Sequence, residues 1–164
     1  MGKRQLNQAE EQVYQDIMVA VDDSETSQRA LNVAIGLATG CGARLEIVHA
    51  VDESLFPTHA RGGALLVDPV LVQRALEEEG QRLLDAAAAS ARDAGVEAQT
   101  RVLASETHHT ADQIAEAADA AKVDLLVVGS HGRRGVQRLL LGSVAERLVR
   151  KANVSVLIVR GEAP

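Results

Sequence analysis

The stretch that decides the fold of this chain is VDLLVVGSHGRRGVQRLLLGSVAERLVRKANVSVLIV, residues 123–159. It begins with a short apolar run over residues 123–128 that is rich in β-branched side chains, as is typical of a buried strand in a parallel sheet. The loop after this run contains Gly129, Gly132 and Gly142. The last of these glycines leads into an amphipathic helix over residues 143–151, and a second β-branched run over residues 154–159 predicts another strand.

The glycine loop delivers the chain to the N-terminus of a helix. Such a helix end presents backbone N–H groups without intrahelical acceptors, together with the positive end of the helix dipole. A phosphate group suits this arrangement, so the loop predicts a nucleotide phosphate site. The alternative is structural: Gly129 and Gly132 would serve a tight turn, and Gly142 would allow close packing of helix and sheet.

Ser143 has two possible roles at this helix end. Ser143-x-x-Glu146 has the pattern of a capping box, in which the hydroxyl accepts a hydrogen bond from a backbone N–H of its own helix. The hydroxyl would then be occupied by the helix, while a phosphate could still bind the remaining N–H groups. Direct contact between the Ser143 hydroxyl and a phosphate stays open at this point.

The rest of the chain alternates predicted strands and helices. In order, these are a strand over residues 16–22, a helix capped by Ser24, a strand over 44–51, a helix from Asp68-Pro69 to near Gly95, a strand over 96–104, and a helix begun by a capping box at Thr110-x-x-Gln113. This β-α order predicts an α/β fold of three layers, with a five-stranded parallel sheet covered on both faces. We expect a disordered lead over residues 1–13, a single domain over residues 14–164, and a mobile loop over residues 52–66.

Composition excludes several classes of function. The net charge of −6 argues against general binding to nucleic acid or to an anionic membrane, and an aromatic content of 1% offers no platform for stacking bases. The charge is uneven, because residues 129–151 hold six basic side chains against the single acid Glu146. The lone Cys41 and the lack of a long apolar run favour a cytoplasmic location.

Several catalytic motifs are missing from the sequence. There is neither the G-x4-G-K-[S/T] of a P-loop ATPase nor the G-x-G-x-x-G of a dinucleotide redox enzyme. His131 is read as a loop residue rather than as a base, and His108-His109 lack a second ligand pair for a protein metal site. Binding without fast turnover is the expectation.

The glycine loop also carries a family resemblance. Gly129-Ser-His-Gly132, nine further residues and then Gly142-Ser143 resemble the G-x2-G-x9-G-[S/T] ATP-binding motif of the universal stress protein family. The resemblance extends over residues 16–160. It implies a Rossmann-like, adenine nucleotide alpha hydrolase-like fold in which the first and fourth strands are neighbours.

The resemblance implies a binding site as well. Adenine would lie against the ends of the first two strands, the ribose near Asp22, and the phosphates on the glycine loop, with Mg²⁺ held mainly by phosphate oxygens. Asp22 could instead be a solvated acid at a strand end, and Arg133 and Arg134 could be solvated loop residues. The candidate nucleotide-binding residues are Ala20, Val21, Asp22, Ala50, Val128, Gly129, Gly132, Arg133, Gly142, Ser143 and Val144.

The function implied is that of an ATP-binding, stress-response regulatory protein with little or no turnover. The hydrophobic strand over residues 154–159 would expose an edge if it ended the sheet, and such edges are usually paired or covered. The resemblance suggests pairing with a second copy, so we expect a homodimer. Two alternatives remain: an ATP-independent dimeric interaction module, and a slow ATPase or autophosphorylating protein.

Overall fold

The computed structural model of the chain describes residues 13–51, 68–104, 109–132 and 141–161. Within these ranges, strands and helices alternate as the sequence predicts. They are β1 Asp16–Ala20, α1 Glu25–Cys41, β2 Arg44–Ala50, α2 Pro69–Asp93, β3 Ala98–Leu103, α3 Thr110–Ala121, β4 Leu125–Gly129, α4 Ser143–Lys151 and β5 Ser155–Val159. The predicted loop over residues 52–66 lies outside the described residues, and the division into a lead of residues 1–13 and a domain of residues 14–164 stays a prediction.

The strands form one parallel sheet in the order β3-β2-β1-β4-β5, which confirms the five-stranded sheet. The chain runs outward from β1 through β2 to β3, and then crosses to the other side of β1 for β4 and β5. The direction therefore reverses between β1 and β4, where Ala20 lies opposite Val128. In open α/β sheets, ligands bind beyond the carboxyl ends of the strands at this kind of switch point.

The core has two halves, one on each face of the sheet, which confirms the three layers. Ile17 and Val19 of β1 pack on the side covered by α1 and α2. Met18, between them, packs on the side covered by α3 and α4. Because successive side chains of a strand point to opposite faces, both faces of β1 are fully buried. The described helices lack the combination of length and apolar composition that a membrane span requires.

Local signals fix several helix ends where the sequence predicts them. The Ser24 hydroxyl accepts a hydrogen bond from the Ser27 N–H at 3.2 Å and caps α1. Gly42 ends that helix with a φ of 65°, a left-handed conformation that glycine adopts without strain. The Asp68 carboxylate accepts the Val70 N–H at 2.9 Å and caps α2.

The capping box predicted at Thr110 is wrong. Thr110 is already the first residue of α3, and the cap position belongs to His109, whose side chain makes no capping bond. Gln113 has a different partner, because its Nε2 donates to the Val51 carbonyl at 3.4 Å, beyond the end of β2. A capping box at Thr110 requires the helix to begin one residue after Thr110, whereas α3 begins at Thr110 itself.

A tight contact between α2 and β2 gives a first prediction. A Cβ on Gly80 would come within 2.6 Å of His49 Cδ2, and the His49 ring is itself held by a 2.8 Å hydrogen bond between its Nδ1 and the Val21 carbonyl. We expect Gly80→Ala to lower the free energy of unfolding by about 1–3 kcal/mol through overpacking, even though alanine favours helix.

The matched control is Gly36→Ala in α1, because a Cβ there meets nothing within 4 Å. This change should raise the free energy of unfolding by about 0.5–1 kcal/mol. Urea denaturation measures both values. Equal stabilisation by the two substitutions would show that the contact with His49 does not constrain α2.

Candidate functional site

The candidate site lies at the carboxyl edge of the sheet, where β1 and β4 end side by side. Ser130, directly after β4, is 3% exposed and connects two neighbouring elements. Its N–H donates to the Val159 carbonyl of β5 at 2.7 Å, and its carbonyl accepts the Gly142 N–H at 2.8 Å. This one residue therefore fixes the exit of β4 against both the end of β5 and the start of α4.

Asp22 is held by the first turn of α1. Its N–H donates to the Ser27 hydroxyl at 2.7 Å, and its Oδ1 accepts both the N–H of Ser24, at 2.9 Å, and the Ser24 hydroxyl. A Cβ on Gly132 would lie 2.6 Å from the other carboxylate oxygen, Oδ2. Two predicted site residues from opposite ends of the chain thus lie against each other at the switch point.

The motif glycines allow neighbouring elements to approach closely at this edge of the sheet. A Cβ on Gly129 would be 2.9 Å from the Thr26 hydroxyl and 3.0 Å from the Thr26 carbonyl carbon, so only glycine lets α1 sit on the end of β4. A Cβ on Gly142 would be 3.0 Å from the Ser130 carbonyl oxygen. Gly142 thus has the close packing that the structural alternative predicts. Gly129 allows close packing of α1 on the end of β4, rather than serving a tight turn.

The capping box predicted at Ser143 is wrong. The cap of α4 is Gly142, with φ −65° and ψ 151°, while Ser143 is the exposed first residue of the helix. The Glu146 side chain instead pairs with Arg150 at 2.7 Å. The Gly142 N–H donates to the Ser130 carbonyl, which holds Gly142 in an extended conformation at the cap position, so the helix starts one residue earlier than the pattern suggests.

In the part of the chain that the structure describes, no side chain caps the N-terminus of α4. By helix geometry, the N–H groups of Ser143, Val144 and Ala145 have no intrahelical acceptor. The first-turn amides and the positive end of the helix dipole lie at this edge of the sheet, and the one acid of the first turn, Glu146, is paired with Arg150. The Ser143 hydroxyl does not cap the helix, and among the described residues it has no hydrogen-bond partner.

The predicted apolar residues divide between the two faces of the sheet. Ala20, Ala50 and Val128 pack with the cluster on the α3 and α4 side. Val21 belongs to the cluster on the α1 and α2 side. Val144 is 38% exposed in the first turn of α4. The structure thus brings three of the four sheet residues to one face.

Some predicted residues lie outside the part of the chain that the structure describes. These are Arg133, Arg134 and His108. Among the described residues, no group of three or more His, Cys, Asp or Glu side chains is arranged to hold a metal ion.

Sequence reasoning missed the hydroxyl groups that join α1 to the exit of β4. Thr26 donates its hydroxyl hydrogen to the His131 carbonyl, and the Ser24 hydroxyl lies 3.4 Å from the same oxygen. Ser24 was predicted only as a helix cap, and Thr26 was not predicted at all. One sequence pattern predicts this contact. An acid ends a central strand, and two hydroxyl residues follow at the start of the next helix.

A three-residue cluster fixes α4 against α3. Arg147 donates two hydrogen bonds to the Asp112 carboxylate, at 3.0 and 2.7 Å, and Lys151 lies 2.8 Å from the same group. The Asp112 side chain is 13% exposed. The cluster therefore joins α4 to α3, in addition to the core packing of Ala145 and Leu148.

The sequence as a whole matches the family model of the universal stress protein family over residues 13–160. The chain belongs to the universal stress protein family. A universal stress protein of Methanocaldococcus jannaschii is 35% identical over 150 residues, which cover 92% of this chain and 84% of that protein.

Two solved structures of the family are similar to this one. A universal stress protein in complex with cAMP shares 28% identity and a TM-score of 0.65, over 89% of this chain and 97% of the other. The universal stress protein of Archaeoglobus fulgidus in complex with dAMP shares 26% identity and a TM-score of 0.61, over 90% and 98%. Both have the Rossmann-like α/β architecture found here.

The cluster at Asp112 generates a pH prediction. The Arg147 guanidinium, and then the Lys151 ammonium, hold the pKa of the Asp112 carboxyl well below its ordinary value of 3.8. Because the folded-state pKa is depressed, the stabilisation is fully present above the unfolded pKa and is lost as pH falls toward the folded value. Asp112→Asn should therefore lower the melting temperature at pH 7, and the difference from wild type should narrow below about pH 4.

Thermal melts at pH 7, 5, 4 and 3 measure this difference. Glu146→Gln is the control, since the exposed pair of Glu146 with Arg150 should contribute little. A difference between wild type and Asp112→Asn that stays constant across this range would contradict the assignment.

Proposed function

We propose that this protein binds ATP and acts as a nucleotide-dependent regulatory protein of the stress response, with little or no turnover. The observation that carries the proposal is the uncapped N-terminus of α4 beside the paired ends of β1 and β4. Two related universal stress proteins in complex with cAMP and dAMP support a site for an adenine nucleotide in this fold.

The described residues fit the parts of a nucleotide. The amides of Ser143 and Val144, with the Ser143 hydroxyl, would bind phosphate oxygens at the positive end of α4. The Asp22 carboxylate would repel a phosphate but is a good acceptor for ribose hydroxyls. Ala20 and Ala50, with Val21 through its backbone and Val128 beside them, would line the adenine pocket.

Phosphate oxygens would be the main ligands of Mg²⁺. The described residues offer no cluster of three carboxylate, histidine or cysteine groups that could bind the ion alone. Mg²⁺ commonly keeps several waters and binds through substrate phosphates with one or two carboxylates. The ion therefore belongs to the proposed ligand rather than to the protein.

Two described side chains at the site, Asp22 and His131, carry groups that can act as a base. A hydrolytic site needs a base within reach of the attacking water. Asp22 Oδ1 is engaged by Ser24. The His131 ring has its Nδ1 3.0 Å from the Ser130 hydroxyl and its Nε2 buried. We therefore propose binding without fast turnover, and keep slow ATP hydrolysis as an outcome of the test.

Isothermal titration calorimetry with Mg-ATP tests the proposal. We expect saturable binding below millimolar ATP. Gly132→Val should weaken it at least tenfold, because the new side chain starts 2.6 Å from Asp22 Oδ2. Gly36→Val is the matched control on α1, where an added Cβ meets nothing within 4 Å, and it should leave the Kd unchanged.

Absence of saturable binding at millimolar ATP would refute the nucleotide function and favour an ATP-independent interaction module. The same samples, incubated for hours with γ-labelled ATP, distinguish the enzymatic alternatives. We expect less than one turnover per protein and no labelled protein. Many turnovers would assign an ATPase, and labelled protein would assign autophosphorylation.

We further propose that the protein is a homodimer that pairs through β5. This strand ends the sheet, and Leu157 at its centre is 36% exposed. The Val159 carbonyl points toward β4, where it accepts the Ser130 N–H. Because backbone groups alternate in direction along a strand, Val156 and Ile158 present their N–H groups at the open edge, where a second copy could pair.

Val156→Pro tests this edge without removing a hydrogen bond to β4. Proline lacks the N–H that a partner strand would accept, so we expect a monomer by size-exclusion chromatography with light scattering. Val156→Ala is the control, since it loses similar packing but keeps the N–H, and should remain a dimer. A wild-type monomer, or a dimeric proline variant that is folded by circular dichroism, would overturn the proposal.

A further inference from the structure

The carbonyl of His131 accepts a hydrogen bond from a hydroxyl group in the first turn of α1. Thr26 donates its hydroxyl hydrogen to this oxygen, and the Ser24 hydroxyl lies 3.4 Å from it. The hydroxyls are 105 and 107 positions away from His131 in the sequence, so the contact joins distant parts of the chain. The carbonyl belongs to the peptide that links His131 to Gly132.

Both branches of the Thr26 side chain lie beside a glycine. Its hydroxyl lies over the end of β4, where a Cβ on Gly129 would come within 2.9 Å of it. Its methyl group faces the segment after β5, where a Cβ on Gly161 would lie 3.4 Å away. The side chain thus lies between two glycines, and its one hydrogen-bonding group is directed at the His131 carbonyl.

Holding this carbonyl also orients an amide donor. The peptide bond is planar and trans, so the Gly132 N–H points in the direction opposite to the His131 carbonyl. Since that carbonyl faces α1, the Gly132 N–H faces away from α1. Gly132 itself lies beside Asp22 at the candidate site. A peptide without a fixed acceptor contact would rotate more freely, and ordering it would reduce binding affinity.

We propose that Thr26 is a positioning residue that presents the Gly132 N–H to a nucleotide phosphate. The inference rests on the proposed nucleotide function and adds one side chain that the glycine motif does not contain. Thr26 acts through the backbone of the loop and not by touching the ligand. The role requires a hydroxyl at position 26, and serine should supply it as well as threonine does.

The test compares Thr26→Val, which keeps the shape but loses the donor, with Thr26→Ser, which keeps the donor. Thr39→Val is the matched control in the same helix, because the Thr39 hydroxyl also donates to a backbone carbonyl, that of Ile35, at 2.9 Å. The measurements are the Kd for Mg-ATP by calorimetry and the ¹⁵N order parameter of the Gly132 amide in nucleotide-free protein.

We expect Thr26→Val to raise the Kd about three- to tenfold, as for one hydrogen bond between uncharged groups. The order parameter of Gly132 should fall in the same variant. Thr26→Ser and Thr39→Val should match wild type in both measurements. Thr26→Ala replaces the valine variant if that variant fails to fold, because it also removes the hydroxyl.

The possible failures are distinguishable. If wild type binds ATP and Thr26→Val has the same Kd, the positioning role is wrong while the nucleotide function stands. If Thr26→Ser is as weak as Thr26→Val, the methyl group matters rather than the hydroxyl, and the role is again wrong. If wild type does not bind ATP, the proposed function fails, and this inference fails with it.

Discussion

Strands β1 and β4 pair at the centre of the sheet, and the side chain of Asp124 fixes how they pair. Its carboxylate accepts the N–H of Gln15 at 2.8 Å and that of Asp16 at 3.3 Å, while its own N–H donates to the Asp16 carbonyl at 2.9 Å. One acid at the entry of β4 thus sets the register of the whole pair. A slip of one residue would turn the buried side chains of β1 to the wrong faces. At the opposite end of the same strands, this register brings Asp22 level with the exit of β4.

Much of the fold follows from local signals in the sequence. Ser24, Gly42 and Asp68 set helix ends through bonds within a few residues, and the β-α alternation predicts the layers. The order of the strands is different, because alternation alone does not say on which side of β1 the later strands lie. That information came from the family resemblance. Both wrong capping boxes have one cause: a hydroxyl followed three positions later by Glu or Gln does not reveal whether the helix begins at the hydroxyl residue or after it.

The candidate site was predictable to a similar degree. The meeting of Asp22 with Gly132 follows from adjacent strand ends, whereas the contact of Thr26 with His131 depends on how closely α1 approaches β4. Gly129 sets that distance, because it has no side chain. The sequence pattern relates Gly129 to a ligand and not to a neighbouring helix. The glycines of the motif thus have a double function. They let α1, the end of β4 and the start of α4 approach one another closely. The end of α4 that lies there is suited to an anion.

Ser130 connects the candidate site to the edge of the sheet through two backbone hydrogen bonds, one to the end of β5 and one to the start of α4. A nucleotide at the start of α4 and a second copy on β5 would therefore contact two elements that are both hydrogen-bonded to the buried Ser130. If nucleotide binding changes the affinity between the two copies, thermodynamic linkage requires dimerisation to change the affinity for nucleotide by the same factor. Protein concentration would then influence nucleotide occupancy as strongly as nucleotide influences assembly, and the cellular abundance of the protein would itself be a regulatory input.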